Sequence, residues 1–168
     1  MRRIAVTGRF QPLHNDHLDL MHRALSKADL LIVGITNPDA RSLMEHPDSG
    51  HRHTGEANPY TYFERAAWVD AALRESAVDP ARFIVTPFPL ERPDLWESYI
   101  PAGTTQVIRA YSPWERSKAA ALAACYPVEV VDGDPAIRIT ASDIRARIRA
   151  GENTWRSLVP PAVSRSLA

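Results

Sequence analysis

The sequence predicts an α/β protein, a parallel sheet of five strands with helices on both faces, in a single domain that spans residues 1–168. Short apolar runs rich in β-branched residues alternate along the chain with segments of helical spacing, the pattern of such a sheet. The run Leu30–Ile35 is apolar throughout, which suits a strand covered on both faces. With 168 residues, 45% of them hydrophobic, the chain is long enough to bury a real core.

The first half of the chain supplies two strands and two helices. Arg3–Thr7 is a short β-branched run that meets Gly8, and from His17 apolar residues follow at helical spacing to about Lys27. After the strand Leu30–Ile35, a polar stretch rich in Pro, Gly, His and Asp reaches Pro59. A loop of this length is unusual in a compact domain and predicts a functional flap or a mobile segment. Helical spacing then resumes over Thr61–Ser76.

The second half continues the alternation, with β-branched runs predicting strands and amphipathic spacing predicting helices. Gly151 is a helix stop signal. The predicted elements are, in order, a strand at Phe83–Pro87, a short helix at Leu95–Ile100, a strand at Gln106–Ala110, a helix at Glu115–Ala124, a strand at Val128–Val131, and helices at Ser142–Ala150 and Pro161–Leu167.

Composition excludes some classes of function. The 20 basic and 20 acidic residues give a net charge of zero, which argues against a nucleic-acid or membrane-surface binder, since both need a positive field. A local basic cluster still suffices for a small anion. The amino-terminal segment has no apolar stretch long enough for a signal peptide or a membrane span, so we expect a cytoplasmic protein. The single Cys125 follows an apolar run, which predicts a buried thiol.

The first strand–helix junction, GRFQPLHNDH, carries the strongest chemical signal. Gly8 allows a tight exit from the strand, and ligands of parallel sheets bind at the carboxyl ends of the strands. His14 and His17, three residues apart, share one helix face beside free backbone N–H groups and the positive end of the helix dipole. This arrangement favours a triphosphate site in which the imidazoles stabilise the leaving pyrophosphate. The alternative is that one histidine caps the helix and the other lies in the core.

A second signal lies near the carboxyl terminus, in RITASDIR. Ser142 is predicted to cap a helix whose first turn offers hydroxyl and N–H groups to an anion. Arg145, one turn in, is placed to reach a β- or γ-phosphate with its planar fork. Taken alone, the segment is equally typical of a capped surface helix with solvated arginines.

Together these segments resemble the HxGH nucleotidyltransferase superfamily and, within it, the archaeal-type nicotinamide mononucleotide (NMN) adenylyltransferases. The resemblance covers nearly the whole chain: GRFQPLHNDH, NPYTYFERAAW, the DLW at Asp94–Trp96, ITASDIR, and WRSLVPPAV after GENT occur in the family's order. It implies a Rossmann-like doubly wound sheet and an NTP bound with Mg²⁺. It also implies in-line attack of an acceptor phosphate on the α-phosphate, without a covalent enzyme intermediate.

The resemblance also implies roles for individual residues. Arg65 has an equally favoured alternative as an anchor of the preceding loop, and Trp96 has one as a half-buried core aromatic. The implied nucleotide and phosphate contacts are Gly8, Arg9, Phe10 and Gln11, with His14 and His17 on the triphosphate and Thr140, Ser142 and Arg145 at its far end. The implied acceptor contacts are Arg65, Arg92, Trp96 and Trp114. The resemblance assigns no protein ligand to the metal, which travels with the NTP.

Three departures from the family pattern concern specificity. Asp16 stands in place of the glycine of HxGH, and a carboxylate near phosphates would repel them. Three arrangements would avoid this repulsion: Asp16 points away, Asp16 helps bind Mg²⁺, or the start of the helix shifts. The first is favoured. An asparagine before the tryptophan is replaced by Arg92 and Pro93, and Arg92 suits an anion. The loop after the fourth strand is YSPWER rather than a small amide-bearing loop, which indicates a changed acceptor or base.

These departures favour a cytidylyltransferase that uses CTP and a small phosphonate such as phosphonoformate, a chemistry found among relatives in bacterial phosphonate pathways. The alternative is an NMN adenylyltransferase that makes NAD from ATP and NMN. A regulatory nucleotide-sensing module is a minor alternative, prompted by Asp16. A class I aminoacyl-tRNA synthetase fragment is disfavoured because no KMSKS loop is present. The family often forms homo-oligomers through its helices.

The long loop at 41–56, with His46, His51 and His53, is predicted to close on substrate rather than to bind a metal.

Overall fold

A computed structural model describes residues 1–39, 41, 43–45, 47–48 and 50–168. Within them lies one all-parallel sheet in the order β3-β2-β1-β4-β5. The strands are β1 (Arg3–Gly8), β2 (Leu30–Ile35), β3 (Phe83–Pro87), β4 (Thr105–Ala110) and β5 (Val128–Asp132). The α-helices are α1 (Asn15–Leu25), α2 (Tyr62–Glu75), α3 (Trp96–Tyr99), α4 (Pro113–Leu122), α5 (Ala141–Arg149) and α6 (Pro161–Ser166).

Helices cover both faces of the sheet, so the doubly wound α/β fold is confirmed. On one face, Met21 of α1, Leu73 of α2 and Ile144 of α5 belong to a single buried cluster that also includes residues of α6. On the other face, Trp96 of α3 and Leu122 of α4 form a second, smaller cluster. Apolar packing on both faces is what a continuously apolar central strand requires.

The predicted elements are all present, and the differences lie at their ends. Helix α1 begins at Asn15 with His14 as its N-cap, two residues before the predicted start. Helix α5 is capped by Thr140 and not by Ser142, because Thr140 Oγ1 accepts from the backbone N–H of Asp143 at 3.1 Å. The prediction of a buried thiol was wrong: Cys125 is exposed, because the turn after α4 buries Leu122 and Tyr126 and leaves the residues between them at the surface.

The sheet opens between β1 and β4. Strands β1 and β2 pair along their whole length, from Arg3 with Leu30 to Gly8 with Ile35. In contrast, the ladder between β1 and β4 consists of Ile4 with Thr105 and Ala5 with Gln106 only. The strand order also reverses here, so the carboxyl ends of β1 and β4 flank a crevice at the topological switch point, where sheets of this type bind ligands.

Among the described residues, no helix is both long and apolar enough to cross a lipid bilayer.

Candidate active site

A cavity of about 420 Å³ occupies the crevice at the carboxyl ends of β1 and β4. It is walled by the loop after β1, the start of α1, the loop after β4 and the start of α5. The structure therefore brings together the two sequence segments that were singled out for phosphate chemistry. The predicted site residues that line the cavity are Gly8, Arg9, Phe10, Gln11, His14, His17, Trp114, Thr140 and Ser142.

Arg145 joins these two segments from beneath the cavity. Its buried guanidinium donates through one terminal nitrogen to the carbonyl of Gln11 at 2.6 Å and through the other to Ser142 Oγ at 3.3 Å. Within the described chain its Nε is buried without a partner. Burial lowers the pKa of Arg145 below its usual range. The residue thus brings positive charge to the wall where the two segments meet.

The imidazoles of His14 and His17 are stacked, with ring centroids 3.5 Å apart and planes 17° apart. The backbone N–H of His14 donates to Nδ1 of His17 at 3.4 Å. A neutral imidazole that accepts at Nδ1 carries its proton on Nε2, so this contact leaves His17 with a hydrogen-bond donor on its other nitrogen. Nδ1 of His14 is buried and has no partner among the described residues.

Both histidines are neutral at pH 7. Burial lowers the pKa of His14 to about 3, with a further contribution from Arg138. Burial also holds the pKa of His17 well below its usual range, assisted by His14, Lys118 and Arg52. Neutral N–H groups fixed by packing are the kind of donor that stabilises developing charge without reorganisation.

The loop after β1 is shaped by a close contact between Gly8 and Phe10. A Cβ atom at position 8 would lie 2.9 Å from the Phe10 ring, and Phe10 itself has a φ of +52°. The buried ring then meets His17 edge-on, with centroids 5.0 Å apart. Gly8 and Phe10 therefore position the histidine pair. This role differs from the direct phosphate contact that the resemblance implied for them.

The cavity carries a cluster of cations. Burial, together with the neighbouring Arg52, Arg145 and Arg65, lowers the pKa of Arg9 to about 9. Burial likewise lowers the pKa of Arg52 to about 10 and that of Lys118 to about 7. Positive groups that depress one another's pKa values form a site whose natural ligand is a polyanion.

Sequence reasoning did not single out Arg52, Lys118 or Arg138 as site residues. Arg52 lies in the long loop, which packs onto the loop after β1 through Arg9, whose Nη1 donates to the carbonyl of Ala57 at 3.0 Å. The guanidinium of Arg52 stacks on Trp114 with 4.7 Å to the ring centroid. Lys118 carried a usable signal, because it is one of two lysines in a chain with eighteen arginines.

The carboxylate of Asp16 stays at the cavity wall rather than pointing away as expected. It is neutralised there by Arg109 of β4, which pairs with Asp16 and also with Asp19 at 2.6 Å. The hydroxyl of Tyr111 donates to the same Asp16 carboxylate at 2.9 Å. Two departures from the family pattern, at positions 16 and 111, are thus physically coupled.

Three of the predicted acceptor contacts lie outside this cavity. Arg65 is 1% exposed and donates to four backbone carbonyls, so it fits the loop-anchoring alternative, with carbonyls in place of the expected salt bridge among the residues described. Trp96 is packed in the smaller core cluster and donates to the carbonyl of Pro89 at 3.1 Å. Arg92 is exposed and forms an ion pair with Asp94, so its guanidinium binds a carboxylate of the protein where the acceptor's anion was expected.

A second cavity of about 290 Å³ adjoins the first, at the carboxyl ends of β2 and β3. Thr36 and Asn37 line it from the segment that follows β2, Leu90 from the loop after β3, and Ala121 from α4. The lining shared by the two cavities consists of Gly8, Arg9, Arg52, Trp114 and Lys118. The wall between the two cavities, here called the partition, therefore carries the cations Arg9, Arg52 and Lys118. Two cavities divided by such a wall suit two anionic ligands that react with each other.

Comparison with known proteins identifies the family of this chain. Residues 5–147 match the family described as cytidylyltransferase-like. The phosphonoformate cytidylyltransferase of Streptomyces viridochromogenes is 34% identical over 161 residues, 95% of this chain and 87% of that protein. The nicotinamide-nucleotide adenylyltransferase of Picrophilus torridus is 29% identical over 164 residues, 97% of this chain and 88% of that protein.

Solved structures show the same fold. A bifunctional NMN adenylyltransferase/ADP ribose pyrophosphatase from Francisella tularensis superposes with a TM-score of 0.71 at 17% identity, covering 99% of this chain and 49% of the other. A putative nicotinate-nucleotide adenylyltransferase from Vibrio parahaemolyticus superposes with a TM-score of 0.61 at 22% identity and covers 99% of each chain. By its sequence match, its fold and the enzymes it resembles, the chain belongs to the cytidylyltransferase-like family and is a nucleotidyltransferase.

Proposed function

We propose that this nucleotidyltransferase transfers CMP from CTP to a small phosphonate such as phosphonoformate and releases pyrophosphate. The observation that carries the proposal is the positively charged partition, formed by Arg9, Arg52 and Lys118, that separates the two cavities. A compact phosphonate has few groups besides its negative charge that a protein could recognise, and the cationic side chains of the partition would bind that charge. The 34% identity to a phosphonoformate cytidylyltransferase supports the same donor and acceptor.

In this proposal the triphosphate of CTP occupies the larger cavity, across the starts of α1 and α5. Nε2–H of His17 donates to the phosphates, and His14 lies stacked beneath it. The hydroxyls of Thr140 and Ser142 and the charge of Arg145 bind the far end of the chain. These groups stabilise the negative charge that builds on the leaving pyrophosphate.

The acceptor occupies the smaller cavity, with its anionic group against the partition. An oxygen of the acceptor attacks the α-phosphorus of CTP, and the bond from that phosphorus to the oxygen bridging to the β-phosphate breaks. The electron pair leaves with pyrophosphate. The protein contributes by alignment and by charge, since no enzyme nucleophile takes part.

Mg²⁺ enters this proposal as part of the nucleotide substrate. Within the described residues, no group of three or more His, Cys, Asp or Glu side chains is arranged to hold a metal ion. The carboxylates at the larger cavity have protein partners: Asp16 has Arg109, Asp48 has Ser117, and Glu115 has Arg138 at 3.2 Å. Mg²⁺ commonly binds through phosphates and waters with few protein ligands, which suits this arrangement.

A second candidate is the NMN adenylyltransferase reaction, in which ATP and NMN give NAD and pyrophosphate. It is favoured by the archaeal nicotinamide-nucleotide adenylyltransferases that match nearly the whole chain, at 29% identity for Picrophilus torridus and 30% for Methanoculleus marisnigri. The triphosphate contacts would be the same in both reactions. The two candidates differ in the base and in the acceptor.

A matrix of four NTPs against phosphonoformate, NMN and nicotinate mononucleotide, with Mg²⁺ and detection of released pyrophosphate, tests the proposal. We expect CTP with phosphonoformate to give the highest kcat/KM and to release pyrophosphate only when all three components are present. His17→Ala is the control for contaminating enzymes, because removal of one preorganised donor should lower kcat by about 10²-fold. Equal or faster turnover of ATP with NMN would overturn the CTP–phosphonate assignment and favour the second candidate.

A further inference from the structure

Lys118 lies where the sheet opens. Its Nζ donates to the backbone carbonyl of Thr7 at 2.5 Å, beyond the point where β4 stops pairing with β1. The ammonium therefore occupies the gap between the two diverging strands and is held in place from α4.

Lys118 also differs from the other two cations of the partition in the partners it has. Arg9 holds the long loop through the carbonyls of Arg52 and Ala57. Arg52 lies over the face of Trp114 and 3.9 Å from Glu115. An ammonium has three N–H donors, and the Thr7 carbonyl takes one of those on Lys118. Within the part of the chain that the structure describes, Lys118 forms no ion pair.

We propose that Lys118 is a substrate-contacting residue whose ammonium bridges the α-phosphate of the nucleotide in the larger cavity and the attacking anion of the acceptor in the smaller one. The inference rests on the proposed function in placing the acceptor in the smaller cavity. A cation shared by two anions reduces their repulsion and brings the reacting atoms together, which is a direct way to lower the barrier of this transfer.

The surroundings of Lys118 are consistent with this role. Burial and the neighbouring Arg52, opposed by Glu115, together lower its pKa to about 7. Arg9 lines the same two cavities, and His17 of α1 lies close enough for Lys118 to depress its pKa. In such a positive environment, bound anions favour the protonated amine, and the amine is reactive toward acylation at neutral pH.

The chain offers an internal control for a labelling test, because Lys27 is its other lysine. Lys27 pairs with Glu129 on the surface, away from both cavities. Wild-type protein is treated with acetic anhydride at pH 7.5, and acetylation of each lysine is measured by mass spectrometry. The added ligands are phosphonoformate, NMN, and methylene analogues of CTP and ATP that cannot release pyrophosphate. We expect the nucleotide and the acceptor each to slow acetylation of Lys118, most strongly together, and to leave Lys27 unaffected.

Kinetics of Lys118→Met, with Lys27→Met as the matched control, complete the test. The assay uses whichever donor and acceptor the wild-type protein turns over, so a failed substrate assignment is distinguishable from a failed role for Lys118. We expect Lys118→Met to lower kcat by about 10²-fold or more and Lys27→Met to leave it unchanged. Acetylation of Lys118 that either substrate class leaves unprotected would overturn the inference, and so would a kcat within threefold of wild type in a folded Lys118→Met protein. The labelling result stands on its own if that variant does not fold.

Discussion

At the scale of single residues, the burial of His14 at the candidate site makes the stability of the fold depend on pH. His14 is 4% exposed, and burial keeps its imidazole neutral down to a pKa of about 3. The unfolded chain protonates the same imidazole near its ordinary pKa of about 6.5. As the pH falls, protons therefore bind the unfolded state first. The stability associated with a neutral His14 is complete above pH 6.5 and is lost progressively between pH 6.5 and pH 3.

We predict that ligand-free wild-type protein loses about 1.6 kcal/mol of unfolding free energy through His14 alone between pH 6.5 and pH 5, with a slope that approaches about 1.4 kcal/mol per pH unit toward pH 5. Urea denaturation at several pH values measures the loss, and His14→Asn should show a correspondingly weaker dependence on pH. His22→Asn changes an exposed histidine of the same helix and should behave like wild type. An identical pH dependence in His14→Asn and wild type would show that acid sensitivity arises elsewhere.

The sequence predicted those parts of the candidate site whose residues are close together along the chain. His14 and His17 lie within one helical turn, so their common face followed from spacing alone. Arg52 and Lys118 reach the same cavity from a loop and from α4, and only the long-range topology brings them together. The coupling of Asp16 to Arg109 was likewise inaccessible, because it depends on the position of β4 beside α1.

At the scale of elements, the buried side chain of Arg65 ties α2 to the loop after β1. The guanidinium of Arg65 donates to the carbonyls of Arg9, Thr36 and Asn37 at 2.8 Å each, and to that of Thr61 at 3.1 Å. It thereby joins the carboxyl ends of β1 and β2 to the start of the helix. Buried carbonyls that lose such a donor are left unpaired, which is expensive in a low dielectric.

We expect Arg65→Met to destabilise the fold by about 3 kcal/mol or more, and to weaken nucleotide and acceptor binding together. Thermal or urea unfolding gives the first quantity, and the two KM values give the second. Arg74→Met, on the exposed side of the same helix, removes only a surface pair with Asp70 and should leave both unchanged. A rise confined to the acceptor KM, at unchanged stability, would instead assign Arg65 to acceptor binding.

Element boundaries illustrate which features a sequence pattern can specify. The bounds of β2 and β3 were predicted to the residue, because apolar runs flanked by polar or turn residues define them. The cap of α5 was wrong by two positions, because Thr140 and Ser142 are both good capping residues and the pattern does not distinguish them. The packing of the long loop onto Arg9 had no periodic signal at all, since it depends on single hydrogen bonds.

At the scale of the whole molecule, the larger cavity lies where two parts of the sheet are joined by a short ladder. Beyond Ala5 strand pairing between these parts stops, and cationic side chains form several of the polar contacts across the opening. Lys118 of α4 reaches the Thr7 carbonyl, Arg109 of β4 reaches Asp16, and Arg145 of α5 reaches the Gln11 carbonyl. A polyanion bound between the parts would add contacts to both, so binding should stabilise segments that are distant in sequence.

Hydrogen exchange measured with and without Mg²⁺ and the methylene analogue of CTP tests this coupling. With nucleotide at 100 times its Kd, linkage allows up to about 2.7 kcal/mol of added protection, or roughly 100-fold slower exchange, for amides that open only when the ligand is released. We predict such slowing both at the first turn of α1, residues 15–17, and at the first turn of α5, residues 141–143, because both turns contribute residues to the lining of the larger cavity. Helix α6 lines neither cavity and serves as the internal reference. Slowing confined to α1 would mean that α5 does not bind the triphosphate, because a ligand held by both helix starts must restrain both.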